Sequence, residues 1–139
     1  LVGSGEVDTV VVAFTDMQGR LQGKRIHAPF FLDRVLHHGT EACNYLLAVD
    51  VDMNTVDGYA ISSWGTGYGD MEFVLDLSTM RPTTWLPGTV LIQCDLAWLD
   101  EDHSPVVQAP RHILRRQTER AASATSSGCG RASFSRLAA

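Results

Sequence analysis

Val7-Asp8-Thr9-Val10-Val11-Val12-Ala13-Phe14-Thr15-Asp16-Met17-Gln18-Gly19-Arg20-Leu21-Gln22-Gly23-Lys24-Arg25-Ile26-His27 is the stretch on which the fold turns. Val7 to Thr15 is rich in β-branched residues, which suit a pleated, half-buried surface, and it reads as a strand. Asp16-Met17-Gln18-Gly19 follows with the Asp and Gly that a tight turn requires, and Arg20 to His27 reads as the returning strand. Pro29 suits a helix start, where its missing N–H has no intrahelical partner to lose. Phe30, Phe31, Val35 and Leu36 then cluster on one helical face until Gly39 ends the run.

Downstream, Cys43 to Val51 holds Tyr45, Leu46, Leu47, Val49 and Val51, short enough for a third, largely buried strand. From Asp52 to Asp70 the chain turns rich in Gly, Ser, Asn and Asp and loses its period, which reads as a long surface loop. Structureless segments of more than about 12 residues inside a compact domain tend to be functional, so this loop is the principal candidate for a site. Met71 to Leu77, Thr79 to Trp85 and Thr89 to Trp98 read as strands, with Val90, Ile92, Cys94, Leu96 and Trp98 alternating along the last. After Asp100-Glu101-Asp102, Pro110 opens a helix expected to turn Ile113 and Leu114 inward and to leave Arg111, Arg115, Arg116 and Arg120 in water. Trp64, Trp85 and Trp98 are expected in the core or at an interface. The prediction is an α+β domain over residues 6–120, a mixed sheet packed by one or two helices.

Composition excludes several function classes. At 139 residues and 45% hydrophobic content the chain suffices for one core-bearing domain. A net charge of -5 argues against nucleic-acid binding, which needs a basic face. No apolar run approaches the roughly 20 residues of a membrane span, and the start lacks a secretory signal pattern, so a cytoplasmic, non-membrane protein is expected. Cys43, Cys94 and Cys129 are odd in number and widely spaced, which fits neither a disulfide framework nor a CxxC metal site. Asp50, Asp52, Asn54 and Asp57 lack the rest of a calcium loop, since Thr55 stands where an EF-hand needs Gly and Ile61 where it needs Glu. Gly65-Thr66-Gly67-Tyr68-Gly69 lacks the Lys-Ser/Thr ending of a P-loop, and its glycines are read as backbone turns. His37 and His38 are adjacent near a helix end, where their side chains diverge by about 100° and do not readily share a metal.

Residues 121–139 form a different population, with two basic residues, no acids and few core formers. Removing those two leaves nine basic residues against 16 acidic ones, about -7 for the remainder. This tail is expected to be disordered or aberrant, and a frameshift in a GC-rich coding sequence would produce a string such as Ser123-Ala124-Thr125-Ser126-Ser127-Gly128-Cys129-Gly130.

Three stretches carry a resemblance: Phe14-Thr15-Asp16-Met17-Gln18-Gly19-Arg20, then Gly67-Tyr68-Gly69-Asp70-Met71 with Asp76-Leu77-Ser78-Thr79, then Ala109-Pro110-Arg111-His112-Ile113-Leu114. In order and spacing they resemble the amino-terminal β-grasp domain of the glutamine synthetase family. Gly19-Arg20-Leu21-Gln22-Gly23-Lys24-Arg25 is closer to the branch that joins glutamate to polyamines or other amines. Leu75 stands where the family has Pro.

The resemblance implies a glutamate-ammonia ligase in which ATP phosphorylates the γ-carboxylate, with a glutamate-polyamine or other amine ligase as the alternative acceptor reading. ATP and Mg2+ or Mn2+ are implied for the full-length enzyme and none of them for this chain, whose relatives hold them in a catalytic domain beyond the helix at Pro110. It further implies a homo-oligomeric ring with intersubunit active sites, to which this domain lends its Gly-rich loop: Trp64, Gly67, Tyr68 and Gly69. Asp57 falls on the family's ammonium-binding Asp, although Asp57-Gly58-Tyr59-Ala60 lacks the paired serines that follow there. A carboxylate at that place stabilises a cation and accepts its proton. Asp70 is the second candidate for the same site. Lacking the catalytic domain, the chain alone is expected to be inactive, and a non-catalytic interaction module is the competing reading.

Overall fold

The computed structural model describes residues 2–65 and 67–126. Strand β1 (Thr9–Thr15) and strand β2 (Leu21–His27) pair antiparallel, from Thr9 opposite His27 to Thr15 opposite Leu21. The turn between them is closed by the Gly19 amide on the Asp16 carbonyl at 3.0 Å, and Gly19 takes φ 81°, a conformation that costs glycine little. β2 runs directly into a helix, α1, made of Ala28–Phe30, a wider π-wound stretch Phe31–Val35, and Leu36–His38. Its amide-to-carbonyl pattern ends at Gly39.

After α1 come β3 (Glu41–Cys43), a 3-10 turn at Asn44–Leu47, β4 (Asp70–Pro82), β5 (Thr89–Trp98) and helix α2 (Pro110–Ser126). The sheet order is β2-β1-β5-β4-β3, with β1 and β5 parallel at the centre and the other pairs antiparallel. This is the mixed, α+β sheet expected. One face carries Val10, Val12, Phe14, Met71, Phe73, Ile92, Cys94 and Leu96 against Ala28, Phe31 and Val35 of α1. Phe14 and Phe73 meet edge to face with centroids 5.4 Å apart, a favoured aromatic geometry. Burial pushes the Cys94 thiol up to about 12, so it serves as a small apolar residue.

The structure corrects the sequence reading at particular places. Cys43 to Val51 is not a strand: only Glu41–Cys43 pairs with β4, the chain then coils, and Val51 is exposed. An apolar run this short can serve a strand or a turn, and here Leu47 and Val49 reach the interior from the turn. Met71 to Leu77 and Thr79 to Pro82 lie in one strand rather than two, interrupted by a bulge between Asp76 and Arg81 where the Thr79 hydroxyl accepts from the Gln93 amide at 2.8 Å. Trp85 lies in the turn beyond, 74% exposed, and Trp98 alone of the tryptophans packs against the core cluster. Phe30 is exposed beside buried Phe31, because neighbours on a helix diverge by about 100°. Ile113 and Leu114 do not face inward but are 42% and 63% exposed, and Arg111 and Arg115 are ion-paired rather than solvated.

Helix α2 continues past residue 120 to Ser126, and the rest of the expected tail, with Cys129, lies outside the described residues. Among the described residues no helix is long and apolar enough to cross a membrane.

Candidate functional site

Between Leu47 and Asp70 the chain has no strand or helix among its described residues, only isolated bridges pairing Val49 with Thr55 and Ser63 with Gly67. What orders this loop is polar. Asn44, 5% exposed, pins two distant points of it: its side-chain amide donates to the Ile61 carbonyl at 3.0 Å, and its side-chain oxygen accepts from the Gly69 amide at 3.3 Å. The Asn44 backbone amide also donates to the Gly69 carbonyl at 2.8 Å. An amide side chain can donate and accept at once, which suits it to tying two backbone segments together.

Above this pin the aromatic residues stack. Trp64 and Tyr68 meet at 5.3 Å between centroids and Tyr45 and Tyr68 at 6.1 Å, both nearly perpendicular. Trp64 is 79% exposed, so the stack presents a large apolar surface to solvent instead of filling the core. Gly67 (φ 83°) takes the left-handed conformation that turns the chain back, and its amide closes on the Ser63 carbonyl at 2.9 Å. The structure thus brings Trp64, Gly67, Tyr68 and Gly69 into one local assembly.

Asp57 and Asp70 sit in different local settings. Asp57 is exposed, follows Val56, whose amide is held by the Ala48 carbonyl at 3.0 Å, and precedes Gly58 in the left-handed region (φ 94°). Asp70 opens β4 opposite Cys43 and lines a cavity of about 440 Å3 with Lys24, Glu41 and Tyr45. No hydrogen bond or ion pair joins the two carboxylates among the described residues. Each remains open to a ligand from outside the chain, but they do not form a carboxylate pair.

The sequence reading missed a second polar assembly at the base of the loop. Asp16, 1% exposed, accepts from the Gln18 amide (3.0 Å), the Arg20 amide (2.8 Å), Arg20 Nε (2.8 Å) and Gln22 Nε2 (2.9 Å). Burial alone would raise its pKa, but the hydrogen bonds, that of Gln22 foremost, outweigh it and hold the carboxyl below its ordinary value. Asp16 had been read as a turn residue. A signal is present in Gln18 and Arg20, two and four residues on, but their loop partners lie about thirty residues away.

A third assembly joins the remaining motifs. Arg111 of α2 pairs with Asp76 of β4 and, at 3.5 Å, with Asp95 of β5, while Arg115 also pairs with Asp95. Ser78 and Arg111 bring the Asp76 carboxyl down to about 2. Among the described residues no group of three His, Cys, Asp or Glu side chains converges to hold a metal ion.

No family model matches the chain. It is 66% identical over 122 residues to the γ-glutamylethanolamide synthetase GlnA4 of Streptomyces coelicolor, a match covering 88% of this chain and 26% of that protein. It is 33% identical over 115 residues to a glutamate–isopropylamine ligase of a Pseudomonas species, covering 83% of this chain and 25% of that one. Human lengsin is 29% identical over 107 residues, 74% of this chain and 19% of its own length. In fold, the crystal structure of a glutamine synthase homologue superposes with a TM-score of 0.67 at 20% identity, covering 85% of this chain and 27% of that one. GmaS in complex with ADP gives 0.60 at 18% identity, covering 88% and 25%. The chain therefore spans about a quarter of the length of these two ligases, from Streptomyces coelicolor and Pseudomonas.

Proposed function

We propose, from the premise that this chain carries the amino-terminal β-grasp domain of the glutamine synthetase family, that it serves a cytoplasmic ATP-dependent ligase joining the γ-carboxylate of glutamate to a small primary amine. The observation that carries this reading is the 66% identity to a γ-glutamylethanolamide synthetase over 88% of the chain, supported by the glutamate–isopropylamine ligase at 33%. Of the two acceptors the motifs imply, ammonia and an amine, these relatives favour the amine.

In this reading ATP and Mg2+ or Mn2+ supply the phosphorylation that activates the γ-carboxylate, and they bind outside this chain. The domain offers its neighbour in a homo-oligomeric ring the exposed loop that bears Asp57, flanked by the Trp64–Tyr68 stack. A primary amine is a cation at neutral pH and must lose a proton before its lone pair attacks. The Asp57 carboxylate, exposed between an anchored Val56 and a left-handed Gly58, attracts that cation and accepts the proton. Asp70, at the cavity with Glu41, Lys24 and Tyr45, is the second carboxylate of this reading.

The test is a chimera in which residues 6–120 replace the matching segment of the Streptomyces coelicolor relative. Asp57→Asn is expected to lower kcat/KM for ethanolamine at least a hundredfold with KM for ATP within twofold, the size typical of a lost general base. An unchanged kcat/KM removes Asp57 from the reaction, and a chimera active only with ammonia rejects the amine.

A further inference from the structure

We propose that Arg20, locked by Asp16, is a positioning residue that sets the loop bearing Asp57, an inference that rests on the amine-site reading above. The β1–β2 turn lies far from Asp57 in sequence, yet its polar side chains reach across to the start of the loop. Arg20 donates through one terminal nitrogen to the Val51 carbonyl at 2.6 Å and through the other to the Asp50 carbonyl at 3.1 Å. Gln18 Nε2 donates to the Val49 carbonyl at 2.7 Å, and its side-chain oxygen accepts from Arg20 at 3.2 Å. Three successive loop carbonyls are thus held by one turn.

A guanidinium suits this task because its donors are fixed in a plane, so anchoring Nε on the Asp16 carboxylate orients the other two nitrogens. Asp16 is in turn fixed by the turn amides and Gln22, and burial keeps competing water away. Gln22 Nε2 also contacts Met53 Sδ at 3.2 Å.

The loop beyond the clamp is built on the positions it fixes. The Asp50 carboxylate accepts from the amides of Asp52 and Asn54, each at 2.9 Å, and the Asp50 amide donates to the Asn54 carbonyl at 2.9 Å. Inside that turn Met53 adopts φ 68°, a left-handed conformation that a residue with a side chain holds only when its surroundings impose it. The turn delivers Thr55 to its bridge with Val49 and Val56 to the Ala48 carbonyl, and Asp57 follows. The clamp on Val49, Asp50 and Val51 thus holds the turn from which Asp57 follows.

The experiment has two arms. In the full 139-residue chain, Arg20→Ala is expected to speed amide hydrogen exchange at Asn54 and Val56 at least tenfold, with Ile92 and Cys94 of β5 unchanged. Gln18→Ala, which removes the contact to the Val49 carbonyl and one acceptor of Arg20 but leaves Arg20 on Asp50 and Val51, is expected to give a smaller rise at the same amides and serves as the deciding variant should Arg20→Ala fail to fold. Unchanged exchange at Asn54 and Val56 overturns the clamp. In the chimera, Arg20→Ala is expected to raise KM for ethanolamine about tenfold with KM for ATP within twofold, and Arg20→Lys, which retains the pair with Asp16 but not the fork, to fall between. An unmoved ethanolamine KM, where Asp57→Asn does change the reaction, overturns the positioning role. Where Asp57→Asn itself changes nothing, the earlier reading has failed, and the exchange arm still upholds or overturns the clamp.

Discussion

Asp16 and Asp57 are the same residue type in opposite circumstances, and the same substitution separates them. Asp16 is buried and accepts from charged and neutral donors on every side. Asp16→Asn turns an N–H2 group towards those donors and removes the countercharge from Arg20, so it is expected to cost about 2–3 kcal/mol, the scale of hydrogen bonds to charged groups. Asp57→Asn, at an exposed position, is expected to change stability by less than about 0.5 kcal/mol. Urea unfolding of the two variants checks this, with the midpoint falling for the first and holding for the second. The contrast also shows what was legible in the sequence. Asp57 and Asp70 are proposed on a motif, whereas Asp16 reads as a turn residue because its partners are invisible without the pairing of β1 and β2. Asn44 was missed for a related reason: nothing in Cys43 to Val51 distinguishes a pin from a polar break in an apolar run.

At the scale of elements, the strands with a clear period of two were legible and those whose register is irregular were not. β1 and β5 follow from their β-branched and apolar runs, and β2 from the Asp-Gly turn before it, although Ala13 of β1 and Leu91 and Ala97 of β5 are buried on the second face as well. β4 reads as two strands, Met71 to Leu77 and Thr79 to Trp85, because the register shift between Asp76 and Arg81 shows only in its pairing with β5. Helix α2 was given an apolar inner face from Ile113 and Leu114, but it attaches through Arg111 and Arg115 to carboxylates of two strands. Local hydrophobicity cannot report a docking made of charges contributed by distant segments. It follows that Arg111→Ala should free the helix while Leu114→Ala should not. Hydrogen exchange of the α2 amides is expected to quicken at least tenfold in the first variant, with β1 and β5 unchanged, and to stay within twofold in the second. Equal effects would show that apolar contact, not the ion pairs, holds α2.

For the whole molecule, these assemblies make acid stability a direct readout of the fold. Four carboxyls lie below their ordinary value: Asp16 through the hydrogen bonds that outweigh its burial, Asp50 through the Asn54 amide, Asp76 through Ser78 and Arg111, and Asp100 through the Ser104 hydroxyl. A carboxyl whose pKa is lower folded than unfolded binds protons more readily in the unfolded chain. Its contribution is therefore complete above the unfolded value and is lost as pH falls through the folded one. For Asp76 that window runs from the ordinary 3.8 down to about 2. Over the same range the carboxylates of a chain with net charge -5 are neutralised, leaving 11 Lys and Arg and five protonated His to repel one another. The urea midpoint is expected to be level from about pH 7 to 5 and then to fall steadily towards pH 2. Asp16→Asn should flatten part of that slope, because the group whose protonation it reports is gone. High salt separates the two causes: it relieves the general repulsion within a Debye length of about 3 Å at 1 M but reaches the buried Asp16 assembly far less. A midpoint that stayed level down to pH 2, or a slope abolished entirely by salt, would mean that the Asp16 assembly contributes nothing to holding the sheet and its loop together.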